Sequence, residues 1–276
     1  MTKFRMMLLG TAAVGLTAAT ISSASAGEVE KKFSTSGHVN RAIVMGDDGK
    51  DNFVLHTDPS GISQTRGRFK ASAKSESLSI GSTIELALSS NAGGDQHAGG
   101  TDSFAIRHSY VWLSNAMGRI RMGDTAHAGE GYTSTDMSAT GNAEGIWGSS
   151  IDGILFNNTT TTTNQAAGAS VGTAHGSDFS AGRQSGISYD SPSLGGFKGT
   201  ISHVQSGSGS VEGKYKADFD GVKVEVGAMW TSMNADATDD RSGVGAGVKL
   251  ANGLSVSTNY KTTDLEGTLN TTNRPD

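Results

Sequence analysis

Apolar and polar residues alternate with period two through most of this chain. From Leu78 to Leu88 the even positions are mostly apolar (Leu78, Ile80, Ile84, Leu86, Leu88), and the odd ones carry Ser79, Gly81, Thr83 and Glu85. Between Phe104 and Trp112 the even positions are Phe104, Ile106, His108, Tyr110 and Trp112, opposite Arg107 and Ser109. Val211, Tyr215 and Phe219 oppose Glu212, Lys214, Lys216 and Asp218. Val222, Val224, Val226, Ala228 and Trp230 alternate with Lys223, Glu225 and Thr231. Val244, Ala246, Val248 and Leu250 alternate with Gly and Lys249, and Leu254, Val256 and Tyr260 with Ser255, Ser257, Asn259 and Lys261. Successive side chains of a strand point to opposite faces, so this pattern predicts strands with one apolar and one polar face. About 11 such strands are legible, beginning with one over roughly Ser34 to Met45.

The connections alternate in length. Tight turns are expected near Ser75-Glu76-Ser77, Asn115 to Gly118, Asp190 to Gly196, Asp220-Gly221 and Ala251-Asn252-Gly253. Longer loops are expected over Gly46 to Gly61, Asn91 to Asp102 and Ser232 to Arg241, with a shorter one over Ser206 to Ser210. A soluble sandwich also alternates along its strands, but its hairpins need not alternate between short and long. Aromatics fall near strand ends (Trp112, Tyr189, Phe197, Phe219, Trp230, Tyr260), as the interfacial girdles of a membrane barrel do. The reading is an all-β, transmembrane, antiparallel up-and-down β-barrel.

Asp124 to Gly182 breaks the rhythm. It is rich in Gly, Ser and Thr, with a short strand expected near Ile151 to Phe156. It holds Asp124, Glu130, Asp136, Glu144, Asp152 and Asp178, and neither Lys nor Arg. A structureless connection this long is usually functional or disordered. Two readings stand here: a disordered external loop, or a loop folded into the pore.

Composition sharpens the picture. A hydrophobic fraction of 35% is low for a globular core, but half the strand residues of a water-filled barrel face water. The formal net charge of −5 argues against a nucleic-acid partner. Lys3 and Arg5 precede the mostly apolar or small Met6 to Ala19, and Ala24-Ser25-Ala26 fits a small-residue cleavage site. Residues 1–26 are therefore expected to be a removed signal peptide, with one barrel domain over 27–276. The chain has no Cys, so export brings no disulfides.

In order, the chain carries Ser36-Gly37-His38-Val39-Asn40-Arg41 with Gly46-Asp47-Asp48-Gly49, then Thr65-Arg66-Gly67-Arg68-Phe69-Lys70. The Arg107-to-Leu113 strand is followed by Met117-Gly118-Arg119-Ile120-Arg121-Met122-Gly123. Last comes Arg183-x-Ser185-x-Ile187-x-Tyr189-Asp190-Ser191-Pro192 with Gly196-Phe197. In this order, behind a signal peptide, the chain resembles the general porins of Gram-negative bacteria, in particular the alphaproteobacterial type.

That resemblance implies a homotrimer of water-filled barrels of roughly 16 strands in the outer membrane, set in outer-membrane lipid and lipopolysaccharide. It implies passive diffusion of small hydrophilic solutes and ions, with no cofactor. It also implies a third external loop that bends inward, its acidic residues facing arginines on the wall. By motif position and strand parity, Arg66, Arg68 and Arg107 are wall residues, and His38 stands where a basic residue often sits. Arg183 matches the arginine at the head of the sixth strand, although parity sets it with Ile187 and Tyr189. Glu130, Asp136 and Glu144 are the expected loop carboxylates, and an acidic loop predicts weak cation selectivity. Family members end on a strand with a terminal aromatic, whereas Asn270 to Asp276 reads as loop. The expectation is a chain lacking several C-terminal strands.

Two other classes compete with this reading. An enzyme is disfavoured because His108 and Ser109 are adjacent in one strand and so face opposite ways. The other His residues show no metal-ligand spacing. A surface adhesin or structural β-protein is the remaining alternative. The Asp47-Asp48-Gly49-Lys50-Asp51 run lacks the spacing and closing Glu of a calcium loop.

Overall fold

Period-two strands joined by tight turns pair with their sequence neighbours, and the result is a meander. The computed structural model describes residues 29–47, 52–58, 64–92, 100–129, 135, 137, 154, 183–205, 207–232 and 239–265. Its main sheet contains β1 (Glu30–His38), β4 (Arg66–Lys74), β5 (Ser79–Ala92), β6 (Thr101–Asn115), β7 (Gly118–Thr125) and β8 (Gln184–Asp190). It continues through β9 (Phe197–Val204), β10 (Gly209–Phe219), β11 (Val222–Ser232), β12 (Asp239–Lys249) and β13 (Ser255–Leu265). All eleven pair antiparallel in chain order. A separate hairpin of β2 (Ala42–Asp47) and β3 (Asn52–Thr57) comes between β1 and β4 in sequence only, since those two strands pair directly.

The turns at one end are short and chemically specified. Asp220 and Gly221 have φ of 51° and 88°, a positive-φ pair that suits the right-handed twist of the strands it joins. Gly195 and Gly196, at φ 57° and 90°, close β9 onto Leu194 in the same way.

The two faces differ in chemistry. Phe33, Ile84, Ile120, Ile187, Ile201, Val226, Val244 and Val256 lie on one face and are exposed. A soluble monomer rarely shows so extended an apolar surface. Five of the expected girdle aromatics, Tyr189, Phe197, Phe219, Trp230 and Tyr260, are exposed there too. The opposite face is polar, and its buried residues include Thr83, Glu85, Ser188, Ser202, Glu212, Glu225 and Thr231. A core built of polar groups is the inverse of a globular interior, and it fits a sheet that meets lipid on one side and water on the other.

Two expectations are corrected. The first strand stops at His38, not Met45, and the expected loop over Gly46 to Gly61 contains β3. The break comes at Asn40 and Arg41. The Asn40 amide donates to Thr65 Oγ1 at 3.0 Å, and Arg41 pairs with Asp58 at 2.8 Å, which turns the chain out of the sheet. The second correction concerns β6. Between β5 and β6 the register shifts at Glu85/Leu86, leaving Arg107 as the extra residue of a β-bulge. Phe104 and Ile106 stay on the apolar face, but His108, Tyr110 and Trp112 turn to the polar one. Trp112 is therefore not a girdle residue, and it packs under the Arg119 guanidinium at 4.9 Å. Smaller differences are that β7 runs on to Thr125 and that β12 begins at Asp239. The strand expected near Ile151 to Phe156 lies outside the described residues, save for Ile154, which is not in a strand.

Candidate functional site

The polar face of β4, β5 and β6 carries a guanidinium cluster around one carboxylate. Register aligns Ser36, Arg68, Glu85 and His108 in one row across β1, β4, β5 and β6. One step along, His38 faces Arg66. The bulge brings Arg107 to the same side. Arg68 donates to Glu85 Oε2 through both Nε and Nη2. Arg107 Nε donates to Glu85 Oε1 at 3.2 Å, and Arg66 Nη1 lies 3.6 Å from the same oxygen. Glu85 is 2% exposed, and a carboxylate so buried is tolerated only when paired. Gln64 braces the group: its Oε1 accepts from Arg107 at 2.9 Å and its Nε2 donates to Ser89 Oγ at 2.7 Å. The Gln64 carbonyl meets His38 Nε2 at 2.9 Å.

Arg183 precedes β8 and so is free of its parity; its charge acts on both Arg66 and His108. The structure thus brings together Arg66, Arg68, Arg107 and Arg183, with His38 at the margin. Further along the polar face come Arg121–Asp190 at 3.0 Å, Lys214–Glu212 at 3.2 Å and Lys216–Glu225 at 2.7 Å.

The connection after β7 crosses this polar face. The Ala126 carbonyl accepts from Arg121 Nη1 at 2.8 Å. The Ala128 amide donates to Ser202 Oγ on β9 at 3.1 Å, and the Gly129 amide to Glu212 Oε2 on β10 at 2.6 Å. Gly129 packs on the Met229 side chain of β11 and has φ of 88°, a conformation that residues with a Cβ rarely adopt. Beyond it, Thr135 Oγ1 donates to Asn259 Oδ1 on β13 at 2.9 Å, and Lys249 Nζ on β12 donates to the Met137 carbonyl at 3.2 Å. With the His127 contacts to β8, the described part of the third loop is laid across seven successive strands, β7 to β13.

His127 is a buried anchor point of this loop. The Gln184 carbonyl, 2.7 Å from Nε2, can only accept, so Nε2 carries the proton. Nδ1 then accepts from Ser188 Oγ at 2.9 Å. Burial holds the ring below its ordinary 6.5, and Arg121 pushes the same way, while the Gln184 carbonyl and Asp124 oppose. The Ser–His contact has the spacing of a nucleophile and its base, but His127 is 4% and Ser188 1% exposed. It fastens a loop to a wall. His108 and Ser109, by register, face opposite ways.

Glu130, Asp136 and Glu144, the expected loop carboxylates, lie outside the described residues. Sequence reasoning missed Glu85, Gln64, His127 and Glu212. Glu85 was the sole charge on the polar face of its strand, and register from the Ser75 turn would have set it against Arg68. Gln64, His127 and the Glu212 contact lie in, or depend on, loops that periodicity does not reach.

The sequence model of the Gram-negative porin family matches residues 10–274. No curated protein matches the chain. Among solved structures, a loop-deletion mutant of OmpT, an outer membrane protein of Vibrio cholerae, aligns with TM-score 0.50 and 12% identity. That alignment covers 87% of this chain and 72% of the mutant's, and it shows a shared fold. The Salmonella typhi OmpF complex with daunomycin aligns with TM-score 0.40 and 14% identity, over 90% of this chain and 82% of that one.

Proposed function

The chain belongs to the Gram-negative porins of the outer membrane, and we propose that it passes small hydrophilic solutes and ions by diffusion through a water-filled pore. The observation that carries this reading is the third loop, fastened across a polar face whose reverse is apolar and exposed. A loop so placed narrows the water path along the polar face from β7 to β13. Solutes are then sorted by size and by the field between wall and loop. No covalent step is involved.

Residues 124–182 carry acidic side chains and neither Lys nor Arg. This supports weak cation selectivity, in opposition to the basic wall. The rest of the reading is a signal peptide over 1–26 removed on export, a pore domain over 27–276, and a homotrimer in lipid and lipopolysaccharide.

Planar bilayers test the reading. Stepwise conductance is expected, with a reversal potential in a KCl gradient on the potassium side. Silence defeats the pore; conductance with chloride preference removes the loop as the source of selectivity.

A further inference from the structure

Residues 124–182 are acidic in sequence, but the wall holds a negative charge of its own among the arginines. We infer that Glu85, a carboxylate of the wall itself, is a specificity-determining residue: it sets the charge and the posture of the guanidinium cluster. This rests on the pore reading above.

The geometry is particular to this side chain. Arg68 occupies Oε2, while Arg107 and Arg66 share Oε1. One carboxylate therefore gathers three guanidiniums from two strands, β4 and β6, that are not each other's neighbours. Glu85 sits on β5, the strand between them, with its side chain on the polar face. Arg107 is presented there by the bulge, so the strand distortion and the carboxylate act as one device. The four groups sum to +2, three positive charges against one negative. Take the carboxylate away and the sum is +3. The like charges then repel at close range in a partly desolvated wall, where such forces are felt more than in bulk water. The guanidiniums spread, and the field at the wall becomes both stronger and less ordered.

The other wall carboxylates differ. Asp190 and Glu225 each hold one cation, and Lys216, the partner of Glu225, is 63% exposed. Glu212 holds the loop as well as Lys214. Only Glu85, among these, is committed wholly to a cluster of arginines.

The test is the reversal potential of the full chain in a KCl gradient for Glu85→Gln, Glu85→Asp, Arg68→Gln and the comparator Glu225→Gln. Glu85→Gln and Glu225→Gln make the same change of charge. Glu85→Gln is expected to move the reversal potential toward chloride by clearly more than Glu225→Gln. Glu85→Asp, which keeps the charge, is expected to return most of that shift. Arg68→Gln is expected to move the potential the other way. An equal shift in Glu85→Gln and Glu225→Gln overturns the proposal, and so does a Glu85→Asp shift as large as that of Glu85→Gln. Where Glu85→Gln fails to insert, Arg68→Gln decides, and an unmoved potential there also overturns it. Silence of the unaltered protein defeats the pore itself, a different outcome from an open channel whose selectivity ignores Glu85.

Discussion

The Gly129 amide donates to the Glu212 carboxylate at 2.6 Å, joining the third loop to the middle of β10 across 83 residues of sequence. Glu212 is nearly buried and is also paired with Lys214. Replacing it with Ala leaves a buried amide unsatisfied and takes from Lys214 its ion pair with Glu212. Glu212→Ala should weaken loop docking by about 1–3 kcal/mol, with Glu212→Gln milder because its amide oxygen still accepts. Limited proteolysis within 124–182 reports this as faster cleavage, in the order Ala, Gln, wild type. Equal rates in all three would remove Glu212 as an anchor.

Acid should loosen the same loop through His127. Docked, the ring is held below 6.5 by burial; undocked, it titrates at that ordinary value. The undocked state therefore takes up the proton first. The docking that His127 contributes is whole above 6.5 and is lost as pH falls below it. Protonation also removes the Nδ1 lone pair that accepts from Ser188. Hydrogen exchange at residues 126–129, followed from about pH 7.5 to about pH 5, should accelerate on the acid side beyond its intrinsic pH dependence. His127→Gln can keep both hydrogen bonds without titrating, and should flatten the profile. An unchanged profile in that variant assigns the effect to another group.

The two faces should respond oppositely to charge. Val226 lies in the middle of β11 on the apolar face and is 44% exposed. An arginine there meets hydrocarbon and should cost about 2–4 kcal/mol. Lys223, on the polar face of the same strand, should tolerate Gln with little change. Urea unfolding from lipid vesicles measures both. A soluble sandwich would show no such penalty at Val226, because its exposed face meets water.

The strand faces were legible from sequence because burial repeats every two residues along whole strands, as in β5 and β11. Arg66 and Arg107 were placed by motif position, and parity within a single strand agreed, setting Arg68 with Arg66. Parity failed at the bulge at Arg107, and it did not apply to Arg183, which precedes β8. A bulge adds a residue without altering composition, so Trp112 read as lipid-facing when it stacks on Arg119. Glu85 was hidden for another reason. Its meaning lies in which strand faces it, a matter of register, and one sequence shows register only through turns. The β2–β3 hairpin was masked by its acidic tip, which made a strand with Phe53 and Leu55 look like loop. The loop contacts to Ser202, Glu212 and Asn259 join residues 74 to 124 positions apart and carry no local signature at all.

That hairpin gives the last prediction. Asp58 follows β3 and is fully buried. Its Oδ1 accepts from the Thr65 amide at 3.1 Å, and its Oδ2 pairs with Arg41 at 2.8 Å. A bridge to Ala92 and a bond from Thr57 Oγ1 to the Asn91 carbonyl, 2.9 Å, tie the same root to β5. Asp58 thus holds both ends of the excursion, the departure at Arg41 and the return at Thr65. Arg41 is half exposed, so solvent screens the ion pair and the Thr65 bond is the larger contribution. Asp58→Ala should release the hairpin by about 1–3 kcal/mol, and Asp58→Asn, which still accepts from Thr65, by less. Hydrogen exchange over 42–57 should rise by about 10- to 100-fold in the Ala variant while β10 to β12 stay protected. If exchange rises equally across the whole sheet, Asp58 is holding the sheet rather than the hairpin. If it does not rise at all, the hairpin stands on its own pairing and needs no clamp.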